Sequence, residues 1–466
     1  MPLQAGQKKR IKLIGKELIM DTAATKGVST DDSSAYPSST RAWGLVVVLT
    51  IAYAISFVDR QIISLMVQPI KDYLDLSDTQ ISLLMGPAFA VFYTIMGIPL
   101  GRAADKFSRR NIIVAGMTLW CLMTAASGLA RNFMQLFLAR IGIGVGEAAL
   151  SPAALSMISD SFPPEKRTSP IGFYNSAIYI GSGMALILGG IVIHLVSNSP
   201  PIVVPLVGEL EPWQTTFIIV GLPGLIVAAI IGFMREPTRK DVIKSEAGDV
   251  AEVSMRDVLT YVWAKRGIYG SIFIGMAVVS GVNFMFQAWI PTLYGRVHGW
   301  EPSSIGPAFG VIMLIFGPLG IFLGGRLGDY FANKGDSGGH AKAAFVGSLF
   351  MMPGMIVTPV IPNPQLALAG LALIPFGMAF ITVNAVSSML RVTPNQMRGL
   401  TYALLLMAMT FTGMSLGPFL PALITDYVFG NEMMVGYSML IVSLSTAFVS
   451  NIAFYKCIGA FRSAAS

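Results

Sequence analysis

Charged residues are scarce in this sequence: only 12% of its 466 residues are Asp, Glu, Lys or Arg, whereas soluble domains carry about a quarter. Hydrophobic residues make up 54% of the chain, and the mean hydropathy is +0.66. This composition excludes a large soluble core and indicates a polytopic membrane protein. The two cysteines, Cys121 and Cys457, both fall in apolar segments, so we expect no disulfide framework.

Several functional signatures are also missing. No apolar stretch followed by a cleavage site occurs in the N-terminal tail, so no signal peptide is expected. The glycine-rich run from Gly142 to Glu147 follows no strand, and small residues for helix packing explain it better than a phosphate loop. His194 and His340 have no partners at metal-ligand spacing. We therefore expect no cofactor, no metal and no enzymatic activity.

Twelve apolar segments follow one another, each near the roughly 20 residues that a membrane helix needs. Of the 32 Lys and Arg, 27 lie on the tails and on alternate connections, which define the basic side; the connections of the opposite side hold only Lys71, Arg131 and Arg296. The basic side, with both termini, is thus predicted to be cytoplasmic and the membrane to be the inner membrane. The predicted segments, numbered span 1 to span 12, are 43–66, 80–101, 111–130, 133–159, 169–196, 213–234, 268–294, 303–325, 341–361, 365–390, 399–425 and 433–456.

The long polar stretch 235–267 divides the chain into six spans and six spans. The net charge of +7 lies mostly on the basic side, which predicts contact with a lipid bilayer and no nucleic-acid partner. The segment Lys8 to Met20 has the pattern of a basic amphipathic helix on a lipid surface, although a solvated tail is the favoured interpretation. The predicted units are a cytoplasmic tail 1–42, a six-helix bundle 43–234, a cytoplasmic central loop 235–267, a second six-helix bundle 268–458 and a C-terminal tail 459–466.

The two halves repeat each other. Gly101-Arg-Ala-Ala-Asp105 closes span 2, and Gly325-Arg-Leu-Gly-Asp329 closes span 8, at an offset of 224 residues. The same offset relates Asp59 on span 1 to Asn283 on span 7. Parallel repeats of this kind indicate two all-α bundles related by a pseudo-two-fold axis along the membrane normal, with a transport site between them near the middle of the membrane.

The stretch GRAADKFSRRN, from Gly101 to Asn111, resembles the loop motif between the second and third helices of the major facilitator superfamily. Three further stretches resemble its Spinster group: SFVDRQIIS on span 1, LARIGIGVGEAALSPAALSMISDSFPPEKR on span 4 and FYNSAIYIGSGMALILGG on span 5. The resemblance implies a bacterial relative with the twelve-helix fold of that superfamily and a substrate of the lysophospholipid or sphingoid phosphate type. We expect it to act as a monomer.

The loop motif predicts a cytoplasmic gate made of Gly101, Asp105, Arg109, Arg110 and, in the second half, Asp329. A carboxylate at Asp105 can accept hydrogen bonds from free N–H groups at a nearby helix start. Arg109 and Arg110 are expected to pair with acids on neighbouring helix ends. The second copy departs from the motif, because YFANKG follows Asp329 without paired arginines. Ordinary positive-inside topology explains the two arginines equally, but it leaves Asp105 unexplained.

Four ionisable residues lie inside the spans of the first half. Arg140 and Glu147 are seven residues apart, which places them on one helix face about 10.5 Å from each other. Asp59 and Arg140 lie at the same predicted depth, about 10.5 Å from the membrane surface, and are expected to pair. Arg60 is at nearly that depth. Charges so deep cost about 2.5–3.5 kcal/mol each on insertion scales, so they need partners or water.

These residues predict proton coupling. Burial favours the neutral form of a carboxyl, so Glu147, with the poorest pairing, is predicted to titrate first and Asp59 is the second candidate. A neutralised acid frees Arg60 or Arg140 to hold an anionic headgroup, for which the planar guanidinium is well suited. A permanent structural salt-bridge cluster is the alternative role. Further predicted substrate contacts are Asn283, Gln287, Tyr174 and Tyr179.

The second half lacks such charges and offers apolar residues around Asn283 instead, namely Phe284, Met285, Phe286 and Trp289. A charged wall facing an apolar wall suits an amphiphile. We therefore predict a proton-coupled secondary transporter that moves a lipid-like substrate by alternating access. A transporter of small organic anions or drugs and a lipid uniporter or scramblase without proton coupling remain as alternatives.

Overall fold

The computed structural model describes residues 36–200, 202–204, 208–240 and 254–465. Within these ranges, eleven helical segments are long and apolar enough to cross a membrane. The helix Arg109–Ser127 is a further span, whose 19 residues begin with two arginines and an asparagine that lower its hydropathy. With it, the described helices account for all twelve predicted spans, and the predicted all-α membrane fold is confirmed.

Spans 1 to 6 form the first half and spans 7 to 12 the second half. Spans 1 to 6 are Ser39–Leu65, Asp78–Lys106, Arg109–Ser127, Phe133–Ser161, Thr168–Ser197 and Pro212–Phe233. Spans 7 to 12 are Arg266–His298, Pro302–Asn333, Gly339–Val360, Pro364–Val392, Arg398–Phe429 and Val435–Ala465. Two short helices, Val67–Leu74 and Met255–Ala264, lie in the connections, and strand Val203–Val204 pairs antiparallel with Gly208–Glu209 between spans 5 and 6.

Several spans are interrupted, and the interruptions place residues of the site. Span 1 changes from an α-helix to a 3₁₀-helix at Ile62, directly after Arg60 and Gln61. Span 2 breaks at Gly86, where an added Cβ atom would lie 2.3 Å from the carbonyl oxygen of Met414 on span 11. Span 4 breaks between Glu147 and Leu150. The last turn of span 11 is a π-helix, Ile424–Phe429.

The glycine-rich run on span 4 packs helices together, as predicted. An added Cβ at Gly144 would lie 2.6 Å from the carbonyl oxygen of Phe89 on span 2. At Gly146 it would lie 2.8 Å from the backbone nitrogen of Trp120 on span 3. These approaches require glycine, because any side chain would force the helices apart. The close packing at these glycines holds the segment Phe133–Glu147 of span 4, with Arg140 and Glu147, deep inside the first half.

The two halves meet along a seam in which spans 5 and 8 pack closely near the opposite side. Added Cβ atoms at Gly310 and Gly183 would lie 2.5 Å and 2.8 Å from the carbonyl oxygens of Gly183 and Gly310, respectively. Towards the basic side of the same two helices, Gly172 and Gly325 have no other atom within 4 Å of an added Cβ. The closest backbone approach of these helices described by their glycines is therefore at Gly183 and Gly310.

The central loop departs from the prediction of a plain polar stretch. Its end contains the helix Met255–Ala264, which begins with a capping box between Ser254 and Asp257. Its first residues, Glu236 to Lys240, pack onto the first half. The predicted amphipathic helix from Lys8 to Met20 lies outside the described residues and stays a prediction.

Candidate functional site

A small cavity lies on the seam between the halves. Its volume is about 40 Å³, which accommodates a few water molecules. Spans 1 and 2 supply one wall and spans 7 and 11 the other. The lining residues are Phe57, Arg60, Gln61, Ile63, Ser64 and Met85 from the first half, and Phe284, Gln287, Ala288, Met414 and Pro418 from the second.

Arg60 is the charged group of this cavity, and Glu147 holds it. The Nη2 and Nε atoms of Arg60 lie 2.5 Å and 2.7 Å from Oε2 of Glu147, which is buried. The guanidinium carbon also lies 4.9–5.1 Å from the ring centres of Phe57, Phe89 and Tyr93. Each ring adds a favourable cation–π contact in this low-dielectric setting. The site therefore presents a cation that one carboxylate and three rings orient towards the second half.

Arg140 is fully buried and uses its donors on backbone carbonyls. Its Nε atom donates to the carbonyl of Leu84, and its Nη1 atom donates to the carbonyl of Asp59, both at 3.0 Å. The equal depth predicted for Asp59 and Arg140 is thus correct, but the predicted ion pair between them is wrong. The interruptions of spans 1 and 2 explain the difference. The carbonyls of Asp59 and Leu84 lie near the helix ends at these interruptions, and they bind the guanidinium in place of the Asp59 carboxylate.

The Asp59 carboxylate has no hydrogen-bond partner on either oxygen within the described residues, although it is only 1% exposed. Thr124, whose hydroxyl is also unpaired, is the neighbouring side chain able to donate to it. Oε1 of Glu147 is unpaired as well. Leaving buried charged oxygens unpaired is costly, so these oxygens need either a bound proton or a hydrogen-bond donor.

The second half contributes amide groups to the site. Gln287 of span 7 lines the cavity, and its Oε1 accepts a hydrogen bond from Nε2 of Gln61 on span 1. Asn283 is half-buried and makes no hydrogen bond to another described residue. Among the predicted apolar wall residues, only Phe284 lines the cavity. Met285, Phe286 and Trp289 are fully buried in the second half, where they pack in its core.

The apolar residues that do face Arg60 from the second half include Met414 and Pro418, which the sequence analysis missed. Their span, number 11, reads GMSLGPFLP from Gly413 to Pro421, a signal for close packing that also suits a seam. An added Cβ at Gly417 would lie 2.4 Å from the carbonyl oxygen of Gly281 on span 7. Spans 7 and 11 thus form one rigid wall opposite Arg60.

The two predicted tyrosines occupy different positions. Tyr174 is buried and stacks on Tyr53 of span 1, with ring centres 4.9 Å apart, and its hydroxyl lies 3.4 Å from that of Ser151. Tyr179 packs across the seam against Gly317 of span 8, where an added Cβ would lie 2.2 Å from its ring. Neither lines the small cavity.

On the basic side, Arg109 is the centre of the predicted gate and pairs with acids, as expected. It is buried at the start of span 3 and forms ion pairs with Asp160 of span 4 and with Glu236 of the central loop. Glu236 also accepts from the Ser108 hydroxyl at 2.6 Å and from the backbone N–H of Arg109 at 3.1 Å. Partial burial opposes ionisation of Glu236, but these bonds outweigh it and hold its pKa below the usual range.

The carboxylate at the start of span 3 is therefore Glu236, and the predicted role of Asp105 there is wrong. Asp105 is exposed and makes no hydrogen bond to another described residue. The end of span 2 is capped instead by Arg239, whose Nη2 atom donates to the carbonyls of Ala104 and Phe107 at 2.7 Å and 2.6 Å. A residue of the central loop reaches both helix ends because the loop folds back over the first half.

The remaining gate residues make weaker contacts. Arg110 reaches Asn111 and the carbonyl of Met234 but no described acid, so its predicted ion pair is absent from the described residues. An added Cβ at Gly101 would lie 3.9 Å from the Cβ atom of Pro152. Asp329 is mostly exposed, and its Oδ1 lies 3.8 Å from Nε2 of His340. Between described residues, each ion pair on the basic side stays within one half.

The opposite side carries a cluster that the sequence analysis missed, here called the opposite-side cluster: Lys71, Asp78, Arg296 and Glu432. Asp78 is fully buried, and its two oxygens lie 2.6 Å from Lys71 Nζ and 2.6 Å from Arg296 Nη1. Glu432 accepts from the same two cations at 2.5 Å and 3.1 Å. Lys71 and Asp78 belong to the first half and the other two to the second, so the cluster joins the halves.

Comparisons with known proteins agree with this architecture. A family model described as Major Facilitator Superfamily matches residues 49–418. An MFS-type efflux pump of Mycolicibacterium smegmatis is 27% identical over 392 residues, covering 83% of this chain and 85% of that protein. The probable L-galactonate transporter of Escherichia coli is 26% identical over 351 residues, covering 73% of this chain and 72% of that protein.

Among solved structures, a bacterial homolog to the human lysosomal transporter Spinster, in an inward-facing and unoccupied conformation, matches with a TM-score of 0.78 and 25% identity. The match covers 91% of this chain and 98% of that one. The resemblance to the superfamily and to its Spinster group, predicted from the loop motif and from spans 1, 4 and 5, is confirmed.

Proposed function

Because the chain belongs to the major facilitator superfamily and is a membrane transporter, we propose that it is a proton-coupled secondary transporter of an amphiphilic, anionic lipid-like substrate. The observation that carries the proposal is the pairing of Arg60 with Glu147 at the seam, beside the unpaired carboxylate of Asp59. Arg60 can hold an anionic headgroup. Glu147 and Asp59 can take up and release the coupled proton.

Charge balance links the two events. Asp59, Arg60, Arg140 and Glu147 sum to zero when all are ionised, and one added proton leaves the set at +1. Protonation of Glu147 removes the partner of Arg60, whose guanidinium then offers paired donors to a phosphate or carboxylate. Arg140 has no such freedom, because backbone carbonyls of Asp59 and Leu84 occupy it. Arg60 is therefore the proposed headgroup ligand, and Arg140 is proposed to hold spans 1, 2 and 4 together.

The wall opposite Arg60 supports an amphiphile. Gln287 and Asn283 supply amide groups near the headgroup position, while Phe284, Met414 and Pro418 supply apolar surface. Methionine adapts to irregular apolar chains. In the present conformation the cavity is too small for a lipid. The opposite-side cluster joins the two halves, so the substrate is proposed to enter from the basic side.

We place the basic side in the cytoplasm, with both termini there and the protein in the inner membrane. The distribution of Lys and Arg supports this orientation. The seam is joined at the opposite side by the opposite-side cluster, which supports a stage of an alternating-access cycle that is closed towards the opposite side. The protein is proposed to work as a monomer.

The test is transport by purified protein in liposomes. We would follow a labelled lysophospholipid and a labelled sphingoid phosphate, with and without a pH gradient, for the wild type, Glu147→Gln and Asp59→Asn. Gradient-driven movement is expected in the wild type and is expected to fall at least tenfold in Glu147→Gln, because the glutamine cannot release a proton. Exchange without a gradient is expected to persist in that variant.

Controls separate loss of coupling from loss of folding. Glu301→Gln changes an exposed acid away from the site and is expected to transport like the wild type. Thermal unfolding of each variant reports folding independently of activity. Gradient dependence that is unchanged in both Glu147→Gln and Asp59→Asn contradicts proton coupling through this pair. Movement that ignores the gradient in the wild type supports a uniporter or scramblase.

A small organic anion is the second candidate substrate, and the similarity to a probable L-galactonate transporter favours testing it. The same cation, Arg60, would bind a sugar-acid carboxylate. Uptake of labelled galactonate that is competed by unlabelled sugar acids, together with no movement of either lipid, would replace the lipid proposal. Arg60→Gln is expected to abolish transport of whichever anion is used, and Lys334→Gln, at an exposed position on the basic side, serves as its control.

A further inference from the structure

A groove on the outer surface of the second half lies between spans 7 and 12, away from the seam. Its volume is about 480 Å³. Its rim at the basic side carries Arg266 of span 7 and Lys456 of span 12. Its floor, towards the middle of the membrane, carries Ile274, Phe448 and Ile452, whose side chains are exposed.

The groove has the dimensions of a lipid. Ile274 is eight residues from Arg266 and Phe448 is eight residues from Lys456, so both walls run about 12 Å from a charged rim to an apolar floor. Gly270 keeps the groove open, because an added Cβ there would meet no other atom within 4 Å. A glycine that is not required for helix contact leaves space that a bound molecule can fill.

The rim cations are available for a ligand. Arg266 and Lys456 are both exposed, and neither makes an ion pair or hydrogen bond to another described residue. By contrast, other basic-side cations such as Arg109 and Lys342 are paired with acids. Two unpaired cations at headgroup level above an apolar channel between two helices fit an anionic phospholipid.

We propose that this groove is a binding site for an anionic phospholipid of the bilayer, with its phosphate between Arg266 and Lys456 and an acyl chain along Ile274, Phe448 and Ile452. The site is separate from the proposed transport site and does not depend on the transported substrate. The lipid holds the basic-side ends of spans 7 and 12 in register.

The test is native mass spectrometry of the purified protein with an equimolar mixture of phosphatidylglycerol and phosphatidylcholine. The wild type is expected to retain phosphatidylglycerol preferentially. In Arg266→Gln/Lys456→Gln the preference for phosphatidylglycerol is expected to fall roughly 30-fold, because each cation near an anionic surface contributes about fivefold to the binding. The matched control, Lys334→Gln/Arg391→Gln, removes two exposed cations from the same side and half and is expected to stay within about twofold of the wild type.

Gly270→Leu sharpens the test, because the Cβ of the new side chain has no other atom within 4 Å, so that leucine can extend into the groove and leave both cations in place. This variant is expected to lose both lipids while unfolding at the wild-type temperature. Inorganic phosphate added in place of lipid is expected not to bind, because the binding energy also requires an acyl chain in contact with the apolar floor of the groove. An unchanged preference in Arg266→Gln/Lys456→Gln overturns the proposal. Loss of the bound lipid in Arg60→Gln, with both rim cations present, also overturns it, by placing the lipid at the seam.

Discussion

The two ends of the seam are built differently. At the opposite side, four charges from both halves form one cluster around the buried carboxylate of Asp78. At the basic side, Arg109 is equally buried, but its acids, Asp160 and Glu236, belong to the first half and its adjoining loop. Ion pairs therefore close the seam at one end, and at the other they stabilise one half internally.

This difference teaches what a buried ion pair can do in a moving protein. A cross-half pair has to be broken when that end opens, so its strength sets the energy of one conformation relative to another. A pair within one half is kept in every conformation and adds only to the stability of that half. The same residue types thus act as a latch at one end and as internal bracing at the other.

Removing the Asp78 carboxylate is expected to have the largest effect on the contact between the two halves at the opposite side. Asp78→Asn leaves Lys71 and Arg296 buried with only the half-exposed Glu432 between them, which is expected to cost about 3–5 kcal/mol. The opposite side should open as a result. Spin labels at positions 72 and 365, both exposed on that side, would report the opening as a longer distance measured by double electron–electron resonance. Glu301→Gln is the matched control, and an equal shift there would show that the cluster is no latch.

A single added methyl group should have opposite effects at the two ends of span 8. Gly310→Ala places a Cβ 2.5 Å from the carbonyl oxygen of Gly183, and overpacking at such contacts costs about 1–3 kcal/mol. Gly325→Ala meets no atom within 4 Å, so the higher helix propensity of alanine should stabilise the protein by about 0.5–1 kcal/mol. Thermal unfolding measures both. Equal destabilisation would mean that the basic side is packed as closely as the opposite side.

Removing the ion pair between Arg109 and Glu236 on the basic side should have a smaller effect on stability, and that effect should depend on pH. The pKa of Glu236 lies below its usual value in the folded protein, so its contribution is present above the unfolded pKa of about 4.3 and is lost as pH falls through the folded value. Glu236→Gln is expected to lower stability by about 1–2 kcal/mol at pH 7 and to differ little from the wild type in strong acid. The label distance across the opposite side should not change in this variant. A changed distance would mean that Glu236 also acts on the seam.

Sequence reasoning predicted the architecture correctly because membrane helices obey strong constraints. Spans must be about 20 apolar residues long, and positive residues mark one side. It also found the important charges, because Asp59, Arg60, Arg140 and Glu147 are conspicuous in apolar segments. It assigned their partners wrongly, because Arg140 binds two carbonyls instead of Asp59. Glu147, which was expected to have the poorest pairing, binds Arg60, and Asp59 is the acid without a partner among the described residues. Helical spacing gives depth along one helix, but partner choice depends on helix rotation and on breaks that a periodic pattern does not reveal.

The opposite-side cluster shows the same limit over a longer distance. Lys71 and Arg296 stood out as two of only three basic residues in the connections of the opposite side, but 225 residues separate them in the chain. By itself, the sequence determined the number of spans, their orientation pattern, the repeat and the set of buried charges, because each follows from the cost of placing a group in lipid. Only the tertiary structure decided which charges meet, since ion pairing between distant segments depends on how the helices pack.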